Sequence, residues 1–331
     1  MAANVAGVAL SVEGGADLAD RVDPRLISMR LTEAREGEAD ELELTLQNHD
    51  GLLETPETGR YLILALGWRS GDAVATGMVD KGRFKVDEVS ESGPPDVVTI
   101  RARSADLTGT YRKRRTEIWQ ETTLGAILQR IARRNEGTAR IEPALAAIAI
   151  ASIEQEGKSD MAFVRDLGRR YDAVATWKDG ILIFLPIGGS ATAGGTPLPA
   201  RTLRKIDGWA WSFTRADRED NDGAEAQWHD KAAGRRRTVK VGGDNRKRLK
   251  RVYASEAEAR QAADGAMSRA RREPYSFDYE LAIADPELQL DQTITLEGWN
   301  TRIDGRRWIV ESIETHYGAG GLIQRIKLES A

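Results

Sequence analysis

The chain has 331 residues, of which 40% are apolar and 30% charged, with a net charge of −4 and no cysteine. That length exceeds one typical core and predicts two or three domains, and the near-balanced charge supplies no global field toward nucleic acid or a membrane. Without cysteine there are no disulfides, thiolate metal sites or cysteine nucleophiles, which fits assembly in a reducing cytoplasm.

Residues 1–118 read as β-rich. Near the start, Val8, Leu10 and Val12 alternate with polar or small residues; without a basic flank this predicts a first strand, not a signal peptide. No stretch approaches the ~18 apolar residues of a membrane span. Ile27, Met29 and Leu31 alternate with Ser28, Arg30 and Thr32, and Leu42, Leu44 and Leu46 with Glu41, Glu43 and Thr45. The continuously apolar run 61–66 reads as a central strand buried on both faces. Residues 77–107 then form an antiparallel pair. Phe84 and Val86 face inward, as do Val98, Ile100 and Ala102, and Ser92-Gly93-Pro94-Pro95 interrupts the ladder. The other face carries Arg, Lys, Asp and Glu, and a charged face of that kind suits a surface that meets other protein. Six or seven such strands close most easily as a barrel or small sandwich.

Residues 119–185 change period and predict a small α/β module. Thr123 is placed to cap a helix with Leu124, Ile127, Leu128 and Ile131 on one face. A second helix starts at Ser159-Asp160 and presents Phe163, Val164, Leu167 and Tyr171, and a hairpin follows around Asp179-Gly180. Residues 186–200, rich in Gly, Pro, Ala and Thr, read as a flexible linker. Residues 201–331 return to strands with one helix at about 255–272. Trp209, Trp211 and Phe213 share one face, Ala224, Ala226 and Trp228 another, and alternation of this kind favours core positions for Trp209, Trp211 and Trp228. Phe277, Tyr279, Leu281 and Ile283 alternate in turn with Asp278, Glu280 and Ala282. Ser255 with Glu258 forms a capping box, and Ala259, Ala263, Ala266, Met267 and Ala270 give a shallow stripe that permits close approach to a sheet. The whole is α+β, mainly β: two barrel-like domains flank an α/β module. The two β domains could be a diverged duplication, although no residue-level repeat in the sequence proves it.

Chemical motifs are weak. Gly157-Lys158-Ser159 resembles the end of a phosphate loop, but Ser152 stands where the loop needs its first glycine, so Ser159 reads as a helix cap. The run from Asp217 to Gly223 imitates a calcium loop, yet Arg218 and His229 occupy the positions that require carboxylates, leaving an exposed acidic turn. Asp87 and Glu88 point to opposite faces of a regular strand and make no hydrolytic pair. Three scattered histidines offer no metal site, and no cofactor is expected. The loop 235–251 concentrates cations: Arg235, Arg236, Arg237, Lys240, Arg246, Lys247 and Arg248 are candidate contacts to a partner. Clustered cations can neutralise phosphates, but aromatic interleaving is absent until Tyr253 and the chain is acidic overall. An acidic protein surface therefore fits better than nucleic acid.

Three segments, FKVDEVSESGPPDVVTIRARSADLTG (84–109), QEGKSDMAFVRDLGRRYDAVATWKDGILIF (155–184) and GWNTRIDGRRWIVESIETHYGAGGLIQRIKLES (298–330), together resemble the late control gene D proteins of contractile-tailed phages. The resemblance spans essentially the whole chain in order, and its Q…SD…F pattern from Gln155 to Phe163 marks a helix start. It implies a structural baseplate hub, similar to the hub part of VgrG spikes: a homotrimer in which each chain supplies two related β-barrels. Six barrels then join a sixfold tail tube protein to a threefold central spike protein, among other baseplate proteins. It implies a virion component, assembled in the bacterial host cytoplasm, with no catalytic residue, no cofactor and no membrane contact. The alternatives are a cell-wall hydrolase of the tail tip, or a nucleic-acid binder using loop 235–251.

Overall fold

The computed structural model describes residues 3–14, 22, 24–35, 39–104, 109–178, 180–189, 197–216, 221–272 and 275–331. Asp179 of the hairpin turn, residues 190–196 of the linker and residues 217–220 of the acidic run lie outside the described residues. The chain is mainly β, with 54% strand and 18% helix. It divides into two compact units that are not contiguous in sequence. The first comprises Met1–Asp106, Ala200–Phe213 and Phe277–Leu328, and the second Leu107–Pro199, Thr214–Ser276 and Glu329–Ala331. Residues 214–276, read above with the last β domain, fall in the second unit.

The first unit is built on one 12-stranded sheet. Its strands are β1 (Val5–Val12), β2 (Leu26–Ala34), β3 (Glu41–Gln47), β4 (Tyr61–Ser70), β5 (Gly77–Ser92) and β6 (Val97–Arg103), then β7 (Arg201–Arg204), β8 (Gly208–Arg215), β9 (Tyr275–Leu281), β10 (Thr293–Glu297), β11 (Arg307–Gly318) and β12 (Gly321–Ser330). In the first half the hydrogen-bonded order is β1-β4-β5-β6-β3-β2. In the second it is β7-β10-β11-β12-β9-β8, the same order displaced by six strands. Two stretches separated by about a hundred residues have thus taken the same route, which is what a duplicated unit leaves behind. The halves differ at one ladder: β1 pairs antiparallel with β4, whereas β7 pairs parallel with β10. They join where β2 pairs antiparallel with β11, Met29 opposite Tyr317 through Ala34 opposite Ser312.

Alternation decides burial in the first half. Val8, Leu10, Met29, Leu31, Leu42, Leu44, Leu46, Leu62, Leu64, Leu66, Phe84, Val86, Val98, Ile100 and Ala102, drawn from all six strands, form one core. A sheet gathers every strand's apolar side into one cluster by curling around that side; among the described residues the hydrogen-bonded order itself stays open. The run 61–66 is not buried on both faces, because Leu62, Leu64 and Leu66 point inward while Ile63 is exposed. The apolar run concealed an ordinary one-sided strand. Cross-strand charge pairs cover the outer face: Arg101 meets Glu43 at 2.9 Å and Glu88 at 3.7 Å, and Arg103 meets Asp87 at 3.5 Å. β5 has a bulge between Val86 and Glu88, so Asp87 and Glu88 are both exposed and occupied as ion-pair partners.

In the second unit, Ile118–Thr123 pairs with Ala149–Glu154, and Thr138–Ile141, Ile181–Pro186 and Ala173–Lys178 form a three-stranded sheet. Helix α1 (Leu124–Arg134) is capped by Thr123, whose Oγ1 accepts from Ala126 N at 3.2 Å. Helix α2 (Asp160–Tyr171) is capped by Ser159, whose Oγ accepts from Ala162 N at 3.2 Å. The Q…SD pattern builds the joint ahead of α2. Asp160 is fully buried and accepts from Arg134 at 2.7 Å, Gln155 at 2.8 Å and Asn135 at 3.0 Å. Helix α3 (Glu256–Arg272) lies on a second three-stranded sheet, its Ala259, Ala262 and Ala263 packed with Ala224, Ala226, Val239 and Tyr253. Its capping box is half made. Ser255 Oγ accepts from Glu258 N at 3.2 Å, but the Glu258 carboxylate turns away to accept from Ala151 N at 2.7 Å.

Candidate functional site

The cations singled out in the sequence lie on strands, not in a loop. Arg235, Arg236, Arg237 and Lys240 belong to Arg235–Gly242, and Arg246, Lys247 and Arg248 to Arg246–Tyr253, the two outer strands flanking Gly223–Asp230. Val239 and Val241 supply the alternation that seats the first strand against α3, a signal submerged in the arginine run. The register sets Glu225 opposite Lys240, Gln227 opposite Thr238 and His229 opposite Arg236. Period two places these residues on the face opposite Ala224 and Ala226, which pack on α3. Three carboxylates answer part of the charge: Arg237 meets Asp230 at 2.8 Å, Arg246 meets Asp244 at 3.0 Å and Arg248 meets Glu225 at 3.7 Å. Asp230 is buried, and Arg237, opposite Trp228, lies on the α3 side. The other two pairs, each with an exposed member, contribute little to stability, so the outer side offers a solvated, mostly cationic face on a rigid support.

The remaining motifs resolve into architecture. Gly157, at φ 65°, turns the chain before α2, and Lys158 pairs with Asp166 at 2.6 Å rather than facing a vacant loop. Asp222, from the acidic run, accepts from Asn245 N at 2.8 Å and braces a strand end. No group of three or more metal-ligating side chains occurs among the described residues. No helix among them is long and apolar enough to cross a membrane.

The tryptophan reading needs correcting. Trp209 is 66% and Trp211 42% exposed, so neither is core. Their strand, β8, ends the sheet, and among the described residues only one of its edges faces a neighbour, β9. Trp211 still stacks on Phe277, with ring centroids 6.0 Å apart, and meets Trp299 edge-on at 6.3 Å. It is held in position with much of its surface uncovered. Phe213 packs edge-on against Trp308 at 6.2 Å.

Aligning the two halves by strand order exposes a residue-level repeat that reading along the sequence missed. Residues 83–89, RFKVDEV, match residues 307–313, RWIVESI, and Gly67-Trp68 recurs as Gly298-Trp299. The backbone agrees. Val86 N donates to Arg60 O and accepts at its own O from Gly59 N, each at 2.8 Å; Val310 does the same with Gln292 at 3.0 Å and Asp291 at 2.9 Å. Gly59 and Asp291 both have left-handed φ, 90° and 64°. The signal was present but its matching segments are spaced by unequal loops.

The sequence from residue 38 to residue 321 matches the family model described as phage tail baseplate hub (GPD). The chain is 32% identical to the probable baseplate hub protein of Escherichia phage 186, with 95% of this chain and 90% of that protein covered. In fold it is similar to the tail protein from Neisseria meningitidis MC58, with TM-score 0.68, 12% identity and 98% and 96% of the two chains covered. It is also similar to an E. coli component of the type VI secretion system that exhibits structural similarity to T4 bacteriophage tail proteins gp27 and gp5 (TM-score 0.60, 12% identity, 96% of this chain and 76% of that one). Baseplate hub proteins of phages are structural virion components, not enzymes. By sequence along most of its length, with its fold in agreement, the chain belongs to the phage tail baseplate hub family.

Proposed function

We propose that the chain acts as a homotrimeric adaptor that joins a sixfold tail tube to a threefold central spike, without catalytic activity. The observation that carries this reading is the repeated strand order, β1-β4-β5-β6-β3-β2 followed by β7-β10-β11-β12-β9-β8. Identical chains in a ring present as many equivalent surfaces as there are copies. A chain whose sheet has two look-alike halves doubles that number, so three copies offer six similar contacts to a tube while keeping threefold symmetry toward a spike. The cationic face on Arg235–Gly242 and Arg246–Tyr253 provides a contact for an acidic protein surface of a neighbouring baseplate component. Imaging of the assembled tail tip tests the adaptor. Three copies arranged with six similar half-sheets beneath the tube support it; a hub of two or six copies overturns it. Charge reversal by Arg236→Glu with Lys240→Glu leaves the fold intact and weakens, in a salt-dependent way, incorporation of the chain into baseplates. Unchanged incorporation removes the cationic face from the account.

A further inference from the structure

The two halves of the sheet are unequal in one respect: how fully their longest strands are paired. β11 uses one edge twice. Its start pairs with β10, Thr293 opposite Ile309, and its remainder pairs with β2 through Tyr317. The handover is continuous, since Arg35 N, just past β2, donates to Glu311 O at 3.0 Å, and Arg35 reaches Asp291 at 3.7 Å. β5 is the equivalent strand. Its start pairs with β4, Trp68 opposite Gly77 to Tyr61 opposite Lys85, and Val86 closes the ladder as Val310 does. Beyond that point, among the described residues, 87–92 have a pairing partner on the β6 side only. Burial follows the difference. Ile313 and Thr315 of β11 are fully buried, while Val89 is half-buried and Glu91 exposed at the matching positions of β5.

A strand to fill such a slot also exists. β2 occupies the slot on β11, and the strand in β2's place in the second half is β8, which ends the sheet. Aligning LISMRLTEA (26–34) with GWAWSFTRA (208–216) pairs Met29 with Trp211, Leu31 with Phe213, and Thr32 with Thr214. Phe213 meets Trp308 as Leu31 shares its core with Phe84. Met29 is fully buried in its junction, whereas Trp211 is 42% exposed. An exposed edge strand carrying large aromatics is an association site by construction.

We infer that β8 of one copy pairs antiparallel with residues 87–92 of β5 in the next copy, repeating between chains the β2–β11 junction made within each chain. The inference rests on the ring-forming reading above and specifies its interface. The contact is head-to-tail, so it propagates from copy to copy and closes when the ring is complete. Transferring the β2–β11 register, in which Arg30 faces His316 and Thr32 faces Glu314, sets Ser212 opposite Ser92 and Thr214 opposite Ser90.

The chain has no cysteine, which makes the test direct. Facing residues of antiparallel strands lie about 4.5–5.5 Å apart at Cα, within disulfide range. Ser92→Cys with Ser212→Cys, oxidised at assembly concentration with the spike protein present, gives reducible species of up to three linked chains. Each single variant, and the off-register pair Lys85→Cys with Ser212→Cys, gives none. Ser90→Cys with Thr214→Cys repeats the test at a second position should the first pair disturb folding. A three-copy particle that neither in-register pair links overturns the β8–β5 contact and leaves the trimer standing. Linked pairs with nothing larger overturn the head-to-tail arrangement, and unlinked single chains overturn both contact and trimer.

Discussion

Replacing Asp160 by Asn tests whether the joint ahead of α2 holds the second unit together. The carboxylate is fully buried and accepts from Arg134, Gln155 and Asn135 at 2.7, 2.8 and 3.0 Å. The amide keeps the shape, loses the charge that Arg134 faces, and points a donor at groups that already donate. Breaking a buried ion pair on one side costs about 3–5 kcal/mol. Arg134 retains Glu117 at 2.6 Å, which argues for the lower figure. About 3 kcal/mol moves a midpoint by roughly 6–12 °C for a unit in the 150–250-residue class. Because two compact units are present, one two-state transition does not describe the chain, and the assay is calorimetry resolving the second unit's transition. A shift below about 2 °C would refute the claim that this cluster is a structural keystone.

Phe84→Ala and Trp308→Ala, at matching positions in the two halves and both fully buried, each cost about 3–5 kcal/mol by denaturant titration. Trp308 also loses its hydrogen bond to Ile303 O at 3.0 Å, and a near-neutral result at either site would break the equivalence. Ser159→Ala removes the cap on α2 and costs about 1 kcal/mol, checked by thermal melting; Ser159→Gly costs only a few tenths. Burial raises the phenols of Tyr111, Tyr171 and Tyr253, and pushes Tyr279 up to about 12 with help from Asp207. Folded chains therefore hold these protons after the unfolded chain, with its phenols near 10, has released them. Stability is complete below about pH 10 and falls as pH rises from about 10 to 12. Tyrosinate absorbance of the native protein should lag that of the denatured protein across that window; superimposable curves would contradict the burial.

What the sequence disclosed, and what it hid, have physical causes. Caps and one-sided strands are local, so Thr123, Ser159 and the alternation in β2, β3 and β6 were readable residue by residue. The fate of Trp209 and Trp211 was not, because alternation marks the face of a strand and says nothing about whether its edge has a neighbour. Loop 235–251 concealed two strands, since arginines at inward and outward positions alike erase period two and leave only Val239 and Val241 to reveal it. The residue-level repeat between the two β domains escaped notice for a further reason. Strands equivalent in order are separated by loops of different length, so RFKVDEV and RWIVESI align only after the ladders are known. The candidate contacts suffered most. Partner surfaces depend on which edges remain uncovered, and that is a property of pairing rather than of composition.

The adaptor reading is tested most directly by the native mass of the full chain, alone and with its spike protein, at assembly concentration. Three copies of the 36.4 kDa chain, about 109 kDa of hub, are expected in the complex. A hub that stays single, or that assembles in any number other than three, would contradict it.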